Sequence, residues 1–306
     1  VGAACARALA AWGARVQVLD PGLGRTQGSW AAAGVLSSGR PHELPDAVHV
    51  LADRSLELWH DLGARHPELE FRRIGAVLLG ADPEWTSWRE RHGLVSEPVE
   101  WQGTSAIRFP EVAVVRSPRC APALLRDLTV EPARVDDLDA LRRQADVVVV
   151  AAGAWASPLL AQAGLEMEVA PRRGQMLLFR GGRTPGVLFG AGDDTLAVPR
   201  DDGRVVVGTT LEDAGFDAST VPEDLDRLES WARRVVPDLG PREDAWAGFR
   251  PYSPRGVPTI GWAAPGVIAA TGHFRNGILL APATGELVAD LVMGRPVGVA
   301  ATALAP

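Results

Sequence analysis

With 306 residues and 32.4 kDa, 46% hydrophobic and 23% charged, the chain can bury one or two cores and has the make-up of an ordinary globular protein. Its net charge of −7 gives no electrostatic reason to bind nucleic acid or an acidic membrane surface, and no apolar run is long enough to span a bilayer. Two cysteines, Cys5 and Cys120, provide neither a disulfide framework nor a metal site, and a cytoplasmic protein without a metal is expected.

Lysine is absent, so all 31 basic residues are arginine. That excludes a Schiff-base lysine, and with it pyridoxal phosphate chemistry, and it excludes a phosphate loop of the Walker type.

From Gly2 to Trp12 the residues are small and helix-favouring, with Gly13 placed to end the helix. The chain enters this helix directly from Val1, so the strand that should precede it is missing and the sequence reads as truncated. Residues 15–20 alternate into a strand that finishes on Asp20, the second half of a βαβ unit. Residues 47–62 fit a further helix through Val48, Leu51, Leu56, Trp59 and Leu62. Strands are expected at 73–80 and 112–115, and a helix at 121–128. Residues 146–153 form a valine run ending on Ala151, Ala152 and Gly153, as in a parallel strand covered on both faces. Strands follow at 174–180, 196–199 and 205–210, with Asp201, Asp202 and Gly203 as a hairpin turn between two of them. Residues 223–236 fit an amphipathic helix. A last buried strand at 267–270 leads through a glycine-containing turn to a helix at 280–293.

Four segments carry chemistry. Gly2 and Asp20 have the relation of the last glycine of a dinucleotide phosphate loop to the acid about 20 residues on that takes the ribose hydroxyls; they fit equally a plain helix-strand unit with a surface acid. Residues 28–35 (Gly28, Ser29, Trp30, three alanines, Gly34, Val35) allow a backbone to lie flush against a flat ring system, or form a surface loop. Residues 271–280 join the last strand to the last helix, where backbone amides suit an electron-rich ring or an anion; read locally they are a turn and cap. Arg250 lies in an apolar stretch, Trp246 to Pro251, where a charge is costly unless paired. Its fork suits a substrate carboxylate or a structural salt bridge.

Together Gly2 to Asp20, Trp30 to Val35, Asp146 to Trp155, Arg173 to Met176, Val198 to Arg200, Trp246 to Pro251 and His273 to Thr284 resemble the D-amino-acid-oxidase (DAO) family of flavoproteins, in order over nearly the whole chain. Within it they are most similar to the glycine-oxidising branch of thiazole (thiamine) biosynthesis. The resemblance implies an α/β fold: a Rossmann-like FAD-binding domain lacking its amino-terminal strand, interrupted by an α+β substrate domain with a mixed, largely antiparallel sheet. Boundaries are expected at 1–65, 116–160 and 250–306 for the FAD-binding domain, and at 66–115 and 161–249 for the substrate domain.

It also implies roles. Val1 and Gly2 match the end of the phosphate loop, and Asp20 with Pro21 the ribose-binding pair. Gly28, Ser29, Ala33, Gly34 and Val35 match the loop passing the flavin, and Val135 a backbone contact to the adenine half. Gly153, at the end of the matching strand, is implied as a further cofactor contact. His273, Phe274, Arg275, Asn276, Gly277, Ile278 and Leu279 match the segment along the isoalloxazine ring. Arg250 corresponds to the carboxylate-binding arginine and Arg275 to a second substrate contact, while Leu196 stands where the branch commonly carries a substrate-facing tyrosine. No catalytic side chain is implied, because the flavin performs the redox step.

The implied reaction is oxidation of glycine or another small amino acid or amine to an imine, with oxygen reduced to hydrogen peroxide. Other members of the family, a sarcosine oxidase or a D-amino-acid dehydrogenase, share these motifs. A nicotinamide dehydrogenase would share only the signal from Gly2 to Asp20. A truncated, non-catalytic remnant is the remaining alternative, and self-association is left open.

Overall fold

The protein is described from a computed structural model covering residues 1–22, 24–38, 45–80, 83–191 and 194–306. The first half contains α1 (Gly2–Ala11), β1 (Val18–Asp20), α2 (Gly28–Ala31), β2 (Val35–Leu36), α3 (Asp46–Arg65), β3 (Arg72–Arg73), β4 (Ala76–Leu79), α4 (Pro83–Arg91), β5 (Glu97–Trp101), β6 (Thr104–Phe109), β7 (Ala113–Val114), α5 (Ser117–Leu124), β8 (Val130–Pro132), α6 (Leu138–Arg142) and β9 (Val148–Val150). The second contains α7 (Ser157–Gln162), β10 (Ala170–Gly181), β11 (Val187–Phe189), β12 (Leu196–Pro199), β13 (Arg204–Gly208), α8 (Pro222–Val235), β14 (Leu239–Tyr252), β15 (Thr259–Ala264), β16 (Val267–Thr271), α9 (Gly277–Val292) and α10 (Val299–Leu304).

The dinucleotide-type layer is in two pieces among the described residues. β1 pairs in parallel with β8, and β9 in parallel with β16, which is flanked in turn by β15. Alternate residues of β16 enter opposite cores. Ile268 and Ala270 pack with Leu279, Leu280 and Ala281 of α9 and Ala4 of α1, whereas Val267 and Ala269 pack with Leu138 and Leu160. That two-sided burial is what the apolar character of these strands encodes. α1 can lie close against α9 because of Gly285: a Cβ there would stand 2.6 Å from the carbonyl oxygen of Ala4.

The second layer is an eight-stranded sheet in the order β14-β10-β13-β12-β11-β4-β6-β5, parallel only between β11 and β4. The expected mixed, largely antiparallel sheet is therefore present. One face packs Leu177, Phe179, Val205 and Val207 beneath Leu225, Leu228, Trp231 and Ala232 of α8. The other buries Leu196, Val198, Phe189 and Leu78 with Phe109, Val112 and Val114. No helix among the described residues is long and apolar enough to cross a membrane.

Several boundaries move. The helix expected at 121–128 is Ser117–Leu124, since Pro118 suits a first turn and starts it earlier. The strand expected at 73–80 is split into β3 and β4 at Gly75, which takes φ +70°. The strand expected at 15–20 keeps only Val18–Asp20, and the last helix begins at Gly277 instead of residue 280. β14, the strand that carries Arg250, is not visible as a strand in the sequence, nor are β5, β6, β8, β11 and β15.

Candidate active site

A cleft of about 1510 Å³ runs between the dinucleotide-type layer and the large sheet, and on between the two pieces of that layer. Val1, Gly2, Asp20, Pro21, Gly28, Ser29, Ala33, Gly34, Val35, Val135 and Gly153 line it, and so do Leu196, Arg250 and the run from His273 to Ile278. Leu279 does not. Its side chain is buried in the core and its carbonyl accepts a hydrogen bond from Trp59 Nε1.

At one end Asp20 closes β1. Its Oδ1 accepts from the amide of Gly22 at 2.8 Å and from Gln27 Nε2 at 3.0 Å, so the carboxylate is fixed at the strand end. The segment from Gly28 to Val35 is pressed onto neighbouring backbone. A Cβ on Gly28 would stand 2.8 Å from Phe249 O, and one on Gly34, already at φ +73°, 2.1 Å from Val115 O. Arg200 pins the same segment from below. It is buried, and donates from Nη2 to Ala33 O at 2.7 Å and from Nη1 to Val115 O at 3.0 Å. Burial, helped by the neighbouring Arg116, pushes its guanidinium down to about 10, which leaves it charged at neutral pH.

Arg250 lines the same cleft from β14 of the large sheet. Its Nη1 donates to Arg173 O at 3.3 Å and Thr210 O at 3.1 Å, and its Nη2 to Thr209 Oγ1 at 2.7 Å. The guanidinium lies over Gly174 of β10, where a Cβ would come within 2.1 Å of Nη1. The residues that supply both carbonyls are held through their side chains by one carboxylate. Glu212 accepts from Arg173 Nε at 2.7 Å, from Gln175 Nε2 at 2.6 Å and from Thr210 Oγ1, and the backbones of Arg173 and Glu212 exchange hydrogen bonds at 2.9 and 3.0 Å. Burial alone would raise the Glu212 carboxyl, but the hydrogen bonds from Thr210, Gln175 and Arg173 together hold it below its ordinary value.

The sequence profile of the FAD-dependent oxidoreductases, DAO, matches residues 1–291. The chain belongs to this family. It is 33% identical to the glycine oxidase of Pseudomonas aeruginosa over 96% of this chain and 93% of that one. It is also 34% identical to the glycine oxidase of Pseudomonas putida, over 94% and 90%. The crystal structure of glycine oxidase from Geobacillus kaustophilus superposes with a TM-score of 0.86 at 26% identity, covering 97% of this chain and 93% of that one.

This flavoenzyme uses FAD, and its residues fit that cofactor. The cleft joins the amino end of α1, an acid at a strand end and a wall of alanines and glycines. Gly153, at φ +57°, would meet nothing within 4 Å if it carried a Cβ, so its side faces open space in the cleft. His273 stands on the same wall, 3% exposed, with Nε2 3.1 Å from Thr284 Oγ1. Burial pushes its imidazole down to about 3, so it is neutral throughout the physiological range.

Some residues at the DAO site have no role assigned by sequence. Arg200 sits in a motif matched as a block, and Glu212 and Asp194 sit in stretches of turn composition. Arg275, expected as a substrate contact, has both terminal nitrogens hydrogen-bonded to the two carboxylate oxygens of Asp194. Leu196 keeps its side chain between the cleft and the core beneath it.

The depressed His273 has a thermodynamic consequence. Unfolded, it takes a proton below about pH 6.5, whereas folded it stays neutral down to about 3. Stability is therefore unaffected by this group above about pH 6.5 and falls as the pH drops below it. The expected loss is about 2 kcal/mol at pH 5. Denaturant midpoints at pH 7 and pH 5 should show a smaller acid-side loss in His273→Gln than in the parent.

Proposed function

We propose that the chain oxidises glycine, or another small amino acid carrying one carboxylate, at its C–N bond. The substrate loses two electrons and two hydrogens to become an imine, which water then hydrolyses to the carbonyl acid and ammonia. Oxygen is the proposed acceptor, taking two electrons and two protons to give hydrogen peroxide. Thiamine (thiazole) biosynthesis is the proposed destination, as in the branch the chain resembles. The observation that carries this reading is the Arg250 guanidinium, which lines the cleft in a chain with glycine oxidases among its relatives.

A carboxylate meeting the Arg250 fork makes two parallel charge-assisted hydrogen bonds, which fix the α-carbon and amine relative to the cleft walls. Leu196, Met176 and Phe249 provide apolar walls there that exclude water. FAD, when bound, supplies the two-electron acceptor. His273 stays neutral in the physiological range and takes no proton from the substrate, and the proposed reacting form is the neutral amine. Asp20 and Pro21, the segment from Gly28 to Val35, Val135 and the turn from His273 to Ile278 are the proposed holders of the cofactor.

Arg250→Met is expected to lower kcat/KM for an amino acid by roughly 2–5 kcal/mol, on the order of 30-fold to several thousand-fold. The matching amine without its carboxylate should be far less affected. Equal losses on both would mean that Arg250 only supports the fold.

Leu196 leaves the pocket without a phenol to reach the carboxylate, and with an apolar wall. Better tolerance of a small apolar substituent follows, worth about 0.8 kcal/mol per buried methylene and hence several-fold. Comparing kcat/KM for glycine, N-methylglycine and D-alanine should show that Leu196→Tyr shifts the ranking toward glycine and lowers its KM. An unchanged ranking would place Leu196 outside substrate contact.

A further inference from the structure

Asp20 closes β1 inside the cleft, and its hydrogen bonds leave the two carboxylate oxygens unequal. Oδ1 accepts from the Gly22 amide at 2.8 Å and from Gln27 Nε2 at 3.0 Å. A carboxylate has about two acceptor sites on each oxygen, so both sites of Oδ1 are filled from within the chain. Oδ2 accepts from none of the described residues. The strand end is itself fixed, because Ala133 N donates to Asp20 O at 3.1 Å and Asp20 pairs with Pro132 of β8.

Gln27 is anchored just as firmly at its backbone. Its N–H donates to Gly24 O at 3.2 Å, and its carbonyl accepts from Trp30 and Ala31 at 3.0 and 2.9 Å, as the residue that opens α2. It is also bridged in parallel to Phe249 of β14. The side chain leaving this point lines the cleft beside Asp20 and Pro21. A carboxylate only accepts, so the amide turns its NH2 group to Asp20. The planar amide then keeps Oε1 as an acceptor next to that donor, and none of the described residues donates to it.

A ribose presents two neighbouring hydroxyls, and a carboxylate grips such a diol by taking one hydroxyl on each oxygen. With Oδ1 filled, that grip is closed to Asp20 alone. The second hydroxyl needs another acceptor, because a polar group taken out of water without a partner is costly. We propose that Gln27 is a cofactor-binding residue: its Nε2 sets the Asp20 carboxylate, and its Oε1 joins Asp20 Oδ2 in receiving the two hydroxyls of the adenosine ribose of FAD. The inference rests on the reading that Asp20 serves this ribose.

The test uses the protein freed of flavin and reads binding, not turnover. FAD is titrated through the change in its fluorescence, and ADP and dideoxy-ADP, which lacks both ribose hydroxyls, are competed against it. The ratio of their inhibition constants isolates the hydroxyls. The parent should bind ADP about tenfold or more tighter than dideoxy-ADP. Gln27→Met keeps the length of the side chain and removes both amide functions. It should lower that ratio by about fivefold or more, weaken FAD by a similar factor and leave dideoxy-ADP unchanged. Gln27→Asn, drawn back by one methylene, should lower the ratio too, and it carries the test if the methionine variant does not fold. A glutamine that only supports the loop would weaken both nucleotides equally, so an unchanged ratio in a folded variant overturns the proposal. Asp20→Ala separates the two readings. A ratio unchanged in that variant removes the ribose from Asp20 and the proposal with it, whereas a ratio that falls in Asp20→Ala but in neither Gln27 variant removes only the role of Gln27.

Discussion

The antiparallel pairing of β10 and β14 is the constraint on which the cleft depends. Gly174 and Gly248 face each other in that pairing, and neither has room for a side chain. A Cβ on Gly248 would lie 2.2 Å from the Cβ of Ala31, so α2 of the dinucleotide-type layer rests directly on β14. Phe249 N donates to Thr26 O at 3.0 Å and Trp246 Nε1 to Ala31 O at 3.0 Å, which ties the same seam by hydrogen bonds. The two layers meet through backbone and small residues here, and the space between them opens into the cleft. On the β10 strand of the pair, the missing side chain of Gly174 gives the Arg250 guanidinium its place.

An all-arginine chain solves its buried-charge problems with planar forks. Arg89, Arg173 and Arg200 are almost fully buried, and each is held through at least two nitrogens at once, although Arg89 Nη1 and Arg200 Nε have no hydrogen-bond partner among the described residues. Arg89 reaches Glu111, Ser96 and the carbonyl of Val95 while its guanidinium stands 4.0 Å above Phe109. Arg173 is shared between Glu212 and Asp217, and Arg200 between two carbonyls. A lysine could not make these divided contacts with the same geometry. Two of the three act on the cleft: Arg200 fixes the backbone of Ala33, and Arg173 fixes the floor on which Arg250 lies. Desolvation of these charges is costly, and removing one partner would leave the other buried and uncompensated.

Much of the fold is legible in local pattern. The alanine-rich α1, the valine run of β9, the hairpin at Asp201 to Gly203 and the amphipathic α8 each carry a periodicity or turn signal strong enough to place them. β14 is hidden because Gly240, Pro241, Arg242, Glu243 and Asp244 break any alternation. Its strand form comes from pairing with β10 across two register shifts, which is tertiary information. The site follows the same division. Asp20, Gly34 and Arg250 stand out by residue type in context, and the structure brings them to one cleft. Asp194 and Glu212 do not, because an acid in a turn-rich stretch reads as solvated surface. Their significance arises only when Arg275 and Arg173 approach from elsewhere in the chain.

The central claim is that the paired glycines of β10 and β14 hold Arg250 where it can receive a carboxylate, and the most direct test is Gly174→Ala in the FAD-loaded enzyme. Binding of a simple carboxylate such as acetate, read from perturbation of the flavin spectrum, reports the anion site without catalysis. The added methyl group must displace the guanidinium, so the expected result is retained flavin with carboxylate affinity weakened by about tenfold or more. Retained flavin with unchanged acetate affinity would contradict it.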